Sequence, residues 1–449
     1  MTYIAIRSEV FVIGMLHLFK KIHSPMSMQW EVTPVCNYNC IHCYNYWRKN
    51  ESERKQFLDR ELVIAQIVEC MPAQITFTGG EPLLMFDEIK PYIEKLQKHA
   101  ISVSINTNAA YIDDNIAQYL GENVVRLLVS LPCSIPEIND KITNCKSSFE
   151  ATTNGVKTAL KNGVQVGMHM VVSKINREYV IETAKFVKEE LGLKRFMATK
   201  ASRPENATRE YDQFEMDLYD LRRLFDDLTY IKNELGMEID SLTAYPECSY
   251  ETSDMYYALG ARRRCSAGKT VASIGYDGDV KACARASQSY GNLSKDTIVD
   301  CWDRMDEWRK DLFLPENCRE CDRRIMCGGA CRVEACTVYG SMNADDPCAD
   351  YNNLPVKFKY PSVKVYEYED NERFLVSENF NVINEIFGKR IVIGGKNAFI
   401  TDELYSFVDK YSGKVFLKSD LRSYFQIDDS LANSLCTFLK NHGICVPYF

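Results

Sequence analysis

Short apolar runs alternate with amphipathic stretches from Gln29 to about Arg203, and no other feature constrains the fold of this chain so tightly. Gln29–Thr33, Gln74–Thr78, Ser102–Asn106, Val124–Ser130, Val164–Val172 and Arg195–Thr199 read as strands. Between them, Leu58–Cys70, Asp87–His99, Asp113–Leu120, Ser148–Lys161 and Asn176–Glu190 repeat apolar residues at helical spacing. Strand and helix in strict turn predict parallel βαβ units. Six such units predict an α/β fold whose sheet curves into a partial (β/α)6 TIM-like barrel. Ligands of such sheets gather at the C-terminal ends of the strands, so the residues just after each strand are the ones to inspect.

After the first strand come Cys36, Cys40 and Cys43, spaced CX3CX2C, on a loop kept irregular by Pro34, Asn37 and Asn39. Three thiolates are one short of a closed tetrahedral site. They match three irons of a [4Fe-4S] cluster and leave the fourth iron open. A zinc site with His42 as fourth ligand is the alternative, although neighbours such as His42 and Cys43 rarely reach one ion together. The second strand ends in Thr78-Gly79-Gly80-Glu81-Pro82, where two glycines let the backbone approach a ligand closely.

The chain has 449 residues, 18 of them cysteine. The apolar patch Val10–Leu18 contains His17 and is followed by Lys20-Lys21 rather than a cleavage site, and no apolar run is long enough for a membrane span. A cytoplasmic protein is expected, in which clustered cysteines mean metal or redox chemistry. The net charge of −8, without a basic block, argues against nucleic acid as a partner.

Residues 1–27 read as an extension with a short strand or helix, and 28–236 as the barrel domain, closing on a long charged helix over 207–236. Residues 237–355 are cysteine-rich and short-segmented, so metal is the expected staple. Residues 360–449 form a small α+β, winged-helix-like module, with strands at Val363–Tyr368, Phe374–Val376 and Arg390–Ile393. Helices follow there at Asp402–Lys410, Ser419–Phe425 and Asp429–Asn441. Acidic Asp402, Glu403, Asp420, Asp428 and Asp429 along these helices disfavour DNA binding.

On Cys36, Cys40, Cys43, the preceding aromatic His42, and Gly79-Gly80-Glu81-Pro82, the chain resembles radical S-adenosylmethionine (SAM) enzymes. The resemblance implies a [4Fe-4S] cluster on the three cysteines, SAM chelated at its open iron, and contact of the SAM amino group with Gly79–Pro82. It also places Asn106, Asn108 and Ser130 near SAM. Where the family continues Asp-Gly with a downstream arginine, this chain has Pro132-Cys133 and Thr143, so Lys141 becomes the candidate contact to the SAM carboxylate. Turn chemistry is as good an account of Asn106 and Asn108.

Cys265, Gly278, Cys283, then Cys318-X2-Cys321-X5-Cys327-X3-Cys331 and finally Cys348 resemble the SPASM domain of these enzymes, as does the turn Gly291-Asn292-Leu293. The resemblance implies two auxiliary [4Fe-4S] clusters, three clusters in all. Cys265, Cys283 and Cys331 would hold the first, with Cys248 or an open iron in fourth place. Cys318, Cys321, Cys327 and Cys348 would hold the second. A four-cysteine zinc knot is the alternative for the local CX2CX5CX3C. The remaining cysteines fit no spacing and read as buried small hydrophobes. No catalytic acid, base or hydrogen donor is identified beyond the candidate Cys133, just past a strand end.

The resemblance further implies action on a peptide: in one branch, crosslinking (thioether or C–C) or a related change in a ribosomally made precursor, with the leader bound by residues 360–449. A flavodoxin- or ferredoxin-type protein would supply electrons. The formylglycine-forming sulfatase maturases are the alternative branch. They carry an aspartate after the cysteine matching Cys283, where this chain has Ala284 and Arg285. A non-enzymatic iron–sulfur or zinc scaffold is the alternative of another class.

Overall fold

The computed structural model describes residues 3–6, 9–12, 21–45, 57–204, 209–252, 255, 259, 264–353, 365–386 and 388–448. An N-terminal hairpin, β1 (Tyr3–Ile6) against β2 (Glu9–Val12), precedes the barrel. The barrel strands are β3 (Ser27–Thr33), β4 (Gln74–Gly79), β5 (Ser102–Thr107), β6 (Arg126–Ser130), β7 (Gln165–Val172) and β8 (Arg195–Lys200). They pair in that order, all parallel, as the alternation predicts. Helices α1 (Arg60–Cys70), α2 (Phe86–Lys98), α3 (Asp114–Glu122), α4 (Pro136–Thr143), α5 (Ser148–Lys161), α6 (Val180–Glu189) and α7 (Leu218–Asn233) accompany them. On β3, Trp30 meets Phe77 and Tyr92 of the outer layer. Alternation therefore turns Gln29, Glu31 and Thr33 to the inside of the curve.

The sheet reaches beyond the six expected strands. Beside β8 lies β9 (Glu238–Asp240), and beside β3 lies β10 (Val271–Ile274), itself paired with β11 (Val280–Lys281). Both additions come from residues after 236. The exposed edge of β3 would otherwise present unpaired backbone groups, and β10 covers it in parallel register from Ser27 to Trp30. The cysteine-rich region is thus sewn into the barrel sheet. The long helix over 207–236 is shorter than expected, because a capping box between Asp217 and Asp220 starts α7 at Leu218. The start of that span, 207–208, lies outside the described residues.

The C-terminal module builds one antiparallel sheet from β12 (Arg373–Val376), β16 (Val415–Leu417) and β17 (Cys445–Pro447). A second consists of β13 (Asn381–Glu385), β14 (Gly388–Ile393) and β15 (Lys396–Ile400). Helices α8 (Arg332–Tyr339, in the cysteine-rich region), α9 (Asp402–Lys410), α10 (Lys418–Phe425) and α11 (Asp429–Asn441) complete the elements used below. Phe374, Phe407, Phe416, Leu435 and Phe438 give the module its own core. Of the expected strand Val363–Tyr368, residues 363–364 lie outside the described residues, and 365–368 do not pair in a sheet. The amides of Tyr366 and Tyr368 donate instead to Thr437 (3.0 Å) and Asn433 (3.1 Å) on α11.

This module is fastened to the N-terminal ends of the barrel strands. Fully buried Arg390 bonds Ser24 O (3.1 Å) and Ser24 Oγ (2.6 Å), just before β3, and pairs with buried Glu385 at 2.9 Å. Glu385 also accepts from His23 N at 2.8 Å. Asn381 donates to His99 O (2.9 Å) before β5. Ile383 and Val392 pack on Met71 and Ala73 before β4.

Candidate functional site

The cysteine loop leaves the C-terminal end of β3 and is held from three sides. Asn39 N and Ile41 N donate, each at 3.0 Å, to Thr143 O and Ile142 O at the C-terminus of α4. Those carbonyls have no partner within their own helix, so the helix end satisfies itself on the loop. Tyr38 is buried, and its hydroxyl reaches Ser148 O (3.3 Å) and Thr152 Oγ1 (3.5 Å) on α5. Asn37 Oδ1 accepts from Asn108 Nδ2 at 2.7 Å. Cys36, Cys40 and Cys43 are each half-buried. Burial pushes the His42 imidazole down to about 4, so it is uncharged at neutral pH.

Gly79 and Gly80 bring two protein backbones together. Gly80 N donates to Thr33 O (2.6 Å) and Glu81 N to Val35 O (2.8 Å). A Cβ at Gly80 would overlap the Val35 carbonyl, and one at Gly79, where φ is +125°, would overlap that of Thr33. Pro82 starts a short turn, and buried Glu81 reaches sideways across it. Its carboxylate accepts from Thr107 Oγ1 (2.6 Å), Asn108 N (2.8 Å) and Leu83 N (3.0 Å). Glu81 thereby ties the end of β4 to the end of β5. Asn106 and Ser130 stay half-buried at their strand ends, with no side-chain partner among the described residues. Lys141 lies exposed on α4. Cys133 is fully buried, with its sulfur accepting from Ile135 N (3.4 Å) and facing Thr183 of α6, on the helix side of the sheet.

Seven of the cysteines after residue 240 fall into two neighbourhoods. Cys265, Cys283 and Cys331 are close enough for their charges to interact. Cys318 interacts likewise with Cys321 and with Cys248, and Cys327 with Cys248. The structure therefore brings Cys248 to the second group, not to the fourth place of the first. Its sulfur accepts from Asp350 N at 3.4 Å, and Asp350 follows Cys348 closely in the chain. Cys348 N and Cys331 N share the carboxylate of Asp346, at 3.0 and 3.3 Å. Burial pushes the Cys327, Cys331 and Cys348 thiols up to about 12, so metal loading must displace protons from them.

The donor set fits iron–sulfur clusters. Soft thiolates are supplied in threes and fours. Among the described residues no three His, Cys, Asp or Glu side chains converge as ligands of a single ion.

Several polar side chains inside the curve carry no sequence motif. Glu31 is 2% exposed, and its Oε1 has no hydrogen-bond partner among the described residues. Tyr44 lies between the two cysteine regions, close to Cys43 and Cys283, and bonds Thr78. His169 Nε2 meets Thr199 Oγ1 at 2.9 Å. At the end of β8, buried Lys200 pairs with Glu334 of α8 at 2.9 Å, and Arg285 pairs with the other Glu334 oxygen at 2.6 Å. For Glu31, His169 and Lys200, a polar residue within a barrel strand was the available signal.

The family model of the radical SAM superfamily matches residues 30–187. That of the SPASM iron-sulfur cluster-binding domain matches residues 265–322. Fe-coproporphyrin III synthase of Methanosarcina barkeri is 26% identical, over 73% of this chain and 88% of that one. Mycofactocin maturase MftC of Mycolicibacterium smegmatis is 23% identical, over 73% of this chain and 83% of that one. Streptococcus suis SuiB, solved bound to precursor peptide SuiA, superposes with a TM-score of 0.58 at 18% identity, over 73% of this chain and 76% of that chain. No helix among the described residues is long and apolar enough to cross a membrane.

Proposed function

Because the chain is a radical SAM enzyme with a SPASM domain, we propose that it modifies a ribosomally made precursor peptide, forming a crosslink or a related change at a side chain or Cα. The observation that carries this reading is the C-terminal module. It has its own core and an outer strand, β15, at the edge of a three-stranded sheet. Such an edge takes up an extended peptide by strand addition. The similarity to MftC and the fold likeness to peptide-bound SuiB agree with it.

A [4Fe-4S] cluster and SAM, when bound, would supply radical chemistry that begins with hydrogen-atom abstraction from the substrate. The chain's own residues hold and orient these groups. Cys36, Cys40 and Cys43 are the cluster ligands, on a loop fixed by α4, α5 and Asn108. The backbone of Gly79-Gly80 and the side chains of Asn106 and Ser130 are the available contacts for SAM. Glu81 acts through Thr107 and Asn108, as a clamp. Cys265, Cys283 and Cys331 hold a first auxiliary cluster. Cys318, Cys321, Cys327 and Cys348, with Cys248 beside them, hold a second. Electrons come from a flavodoxin- or ferredoxin-type partner in the cytoplasm.

A tetrapyrrole substrate is the second reading, favoured by the identity to Fe-coproporphyrin III synthase. Formylglycine formation is less favoured, since Ala284 and Arg285 stand where that branch has its aspartate. Anaerobic reconstitution tests the proposal, with about twelve irons expected for three clusters. The reduced enzyme should release 5′-deoxyadenosine and remove two hydrogens from a peptide encoded beside it. Release of 5′-deoxyadenosine coupled only to a porphyrin would replace the peptide reading.

A further inference from the structure

A buried charged network joins the rim of the barrel to the first auxiliary cysteine group. Lys200, the last residue of β8, pairs with Glu334 Oε1 at 2.9 Å, both side chains almost fully buried. Glu334 Oε2 takes Arg285 Nη2 at 2.6 Å. The other arm of the same guanidinium, Nη1, reaches Cys331 Sγ at 3.5 Å. Burial alone would raise the Glu334 carboxyl, but Lys200 and Arg285 hold it down to about 2, so it is ionised. Two cations and a carboxylate are thus kept out of water next to the Cys331 sulfur, at a desolvation cost that surface pairs avoid.

We propose that Arg285, oriented by Glu334 and Lys200, is a positioning residue that sets the reduction potential of the cluster at Cys265, Cys283 and Cys331 through its bond to the Cys331 sulfur. This rests on the reading that those three cysteines hold a cluster. The potential of such a cluster follows its net charge, its exposure and the hydrogen bonds to its sulfurs. A donor on a ligand sulfur withdraws negative charge and favours the reduced state. In a dry setting that bond is stronger than in water. The planar fork of arginine is needed, because one arm must hold Glu334 while the other meets sulfur; an ammonium offers no such fixed geometry. Glu334 acts in the opposite sense on the potential, because it places negative charge beside the cluster while aiming the guanidinium. Lys200 offsets part of that charge and links the network to the strand ends.

The signs separate the three residues. Reconstituted full-length protein carrying C36A, C40A and C43A, so that only auxiliary signals remain, is titrated potentiometrically and followed by EPR. R285Q is expected to lower the midpoint of one auxiliary signal by about tenfold in the reduction equilibrium, 59 mV for one electron. R285K, which keeps the charge and loses the fork, lowers it less. K200M also lowers it, and E334Q raises it. R285Q and R285K leave the other auxiliary signal in place, whereas K200M and E334Q also act on it, because Cys348 interacts with Lys200 and Glu334. If the parent protein shows only one auxiliary signal, the cluster reading for Cys265, Cys283 and Cys331 falls. If both signals are present and R285K, K200M and E334Q leave the midpoint unchanged, or move it in one common direction, the role of Arg285 is overturned. R285K and K200M carry the test if R285Q does not load iron.

Discussion

Glu31 sits in the interior of β3, 2% exposed, with one oxygen unpartnered among the described residues. Burial pushes its carboxyl from an ordinary 4.5 up to about 8, with Lys281 pulling down and Asp277 adding to the rise. The sign of the consequence follows from proton counting. Between about 4.5 and about 8 the folded chain holds a proton that the unfolded chain has lost, so stability falls as pH rises through that window, by at most about 1.4 kcal/mol per pH unit. Glu31→Gln removes this dependence. In urea unfolding of the metal-free protein, the variant should gain on the parent steadily across the window and level off above it. A gap that is constant with pH would mean that Glu31 is already charged in the folded chain. The same carboxyl lies beneath the Gly79-Gly80 turn, since Glu31 and Thr78 are register partners. A polar group with this little solvation is a ready contact for whatever occupies the mouth.

At the scale of the element, α4 and α5 hold the cysteine loop. Asp140 on α4 accepts from Ser147 N (2.6 Å), Ser148 N (2.9 Å) and Phe149 N (3.2 Å), so one carboxylate caps α5 and locks the two helices together. Asp140→Ala removes a capping group worth about 1–2 kcal/mol. The expected outcome is local: a chelator strips iron faster from the cluster at Cys36, Cys40 and Cys43, while auxiliary iron is lost at the parent rate. Equal acceleration at all clusters would show a global effect instead. Neither the helix nor its role was legible in the sequence. Pro136–Thr143 is short and follows Pro132 and Cys133, and a helix that ends on another segment's amides announces itself only once the segments meet. The barrel strands were legible, because buried parallel strands between amphipathic helices leave a strong pattern. The clustering of the cysteines was legible too, and the structure brings Cys265, Cys283 and Cys331 near one another and Cys318 near Cys321. What the spacings could not give was the place of Cys248. Its neighbours, Cys318, Cys327 and Asp350, are far from it in the chain, and spacing says nothing about such long-range contacts. Val363–Tyr368 failed for a related reason: in residues 365–368, helix side chains took the backbone bonds that a strand would have used.

At the scale of the whole molecule, the decisive fact is that the module and the cysteine loop lie at opposite ends of the barrel. Arg390, Glu385 and Asn381 hold residues just before β3 and β5, whereas Cys36–Cys43 follow the end of β3. The barrel wall between them is about 26 Å deep, from the eight residues of β7 at ~3.3 Å each. A peptide bound at the module by strand addition must cross that depth before its reacting residue can reach the mouth. Extended chain covers at most about 3.5 Å per residue, so roughly eight residues are the least that suffice, and a path around the helices asks for more. The recognition segment and the modified residue of the substrate therefore cannot be neighbours. Shortening the spacer below about eight residues should abolish modification in a steep step and leave affinity for the full-length enzyme unchanged, since the bound segment is intact. Lengthening it should cost little, because the entropy of a flexible tether grows only with the logarithm of its length. Binding is read by fluorescence anisotropy of the labelled peptide, and modification by mass spectrometry. Full modification with a three- or four-residue spacer would place the recognition surface near the mouth and remove the module from the binding step.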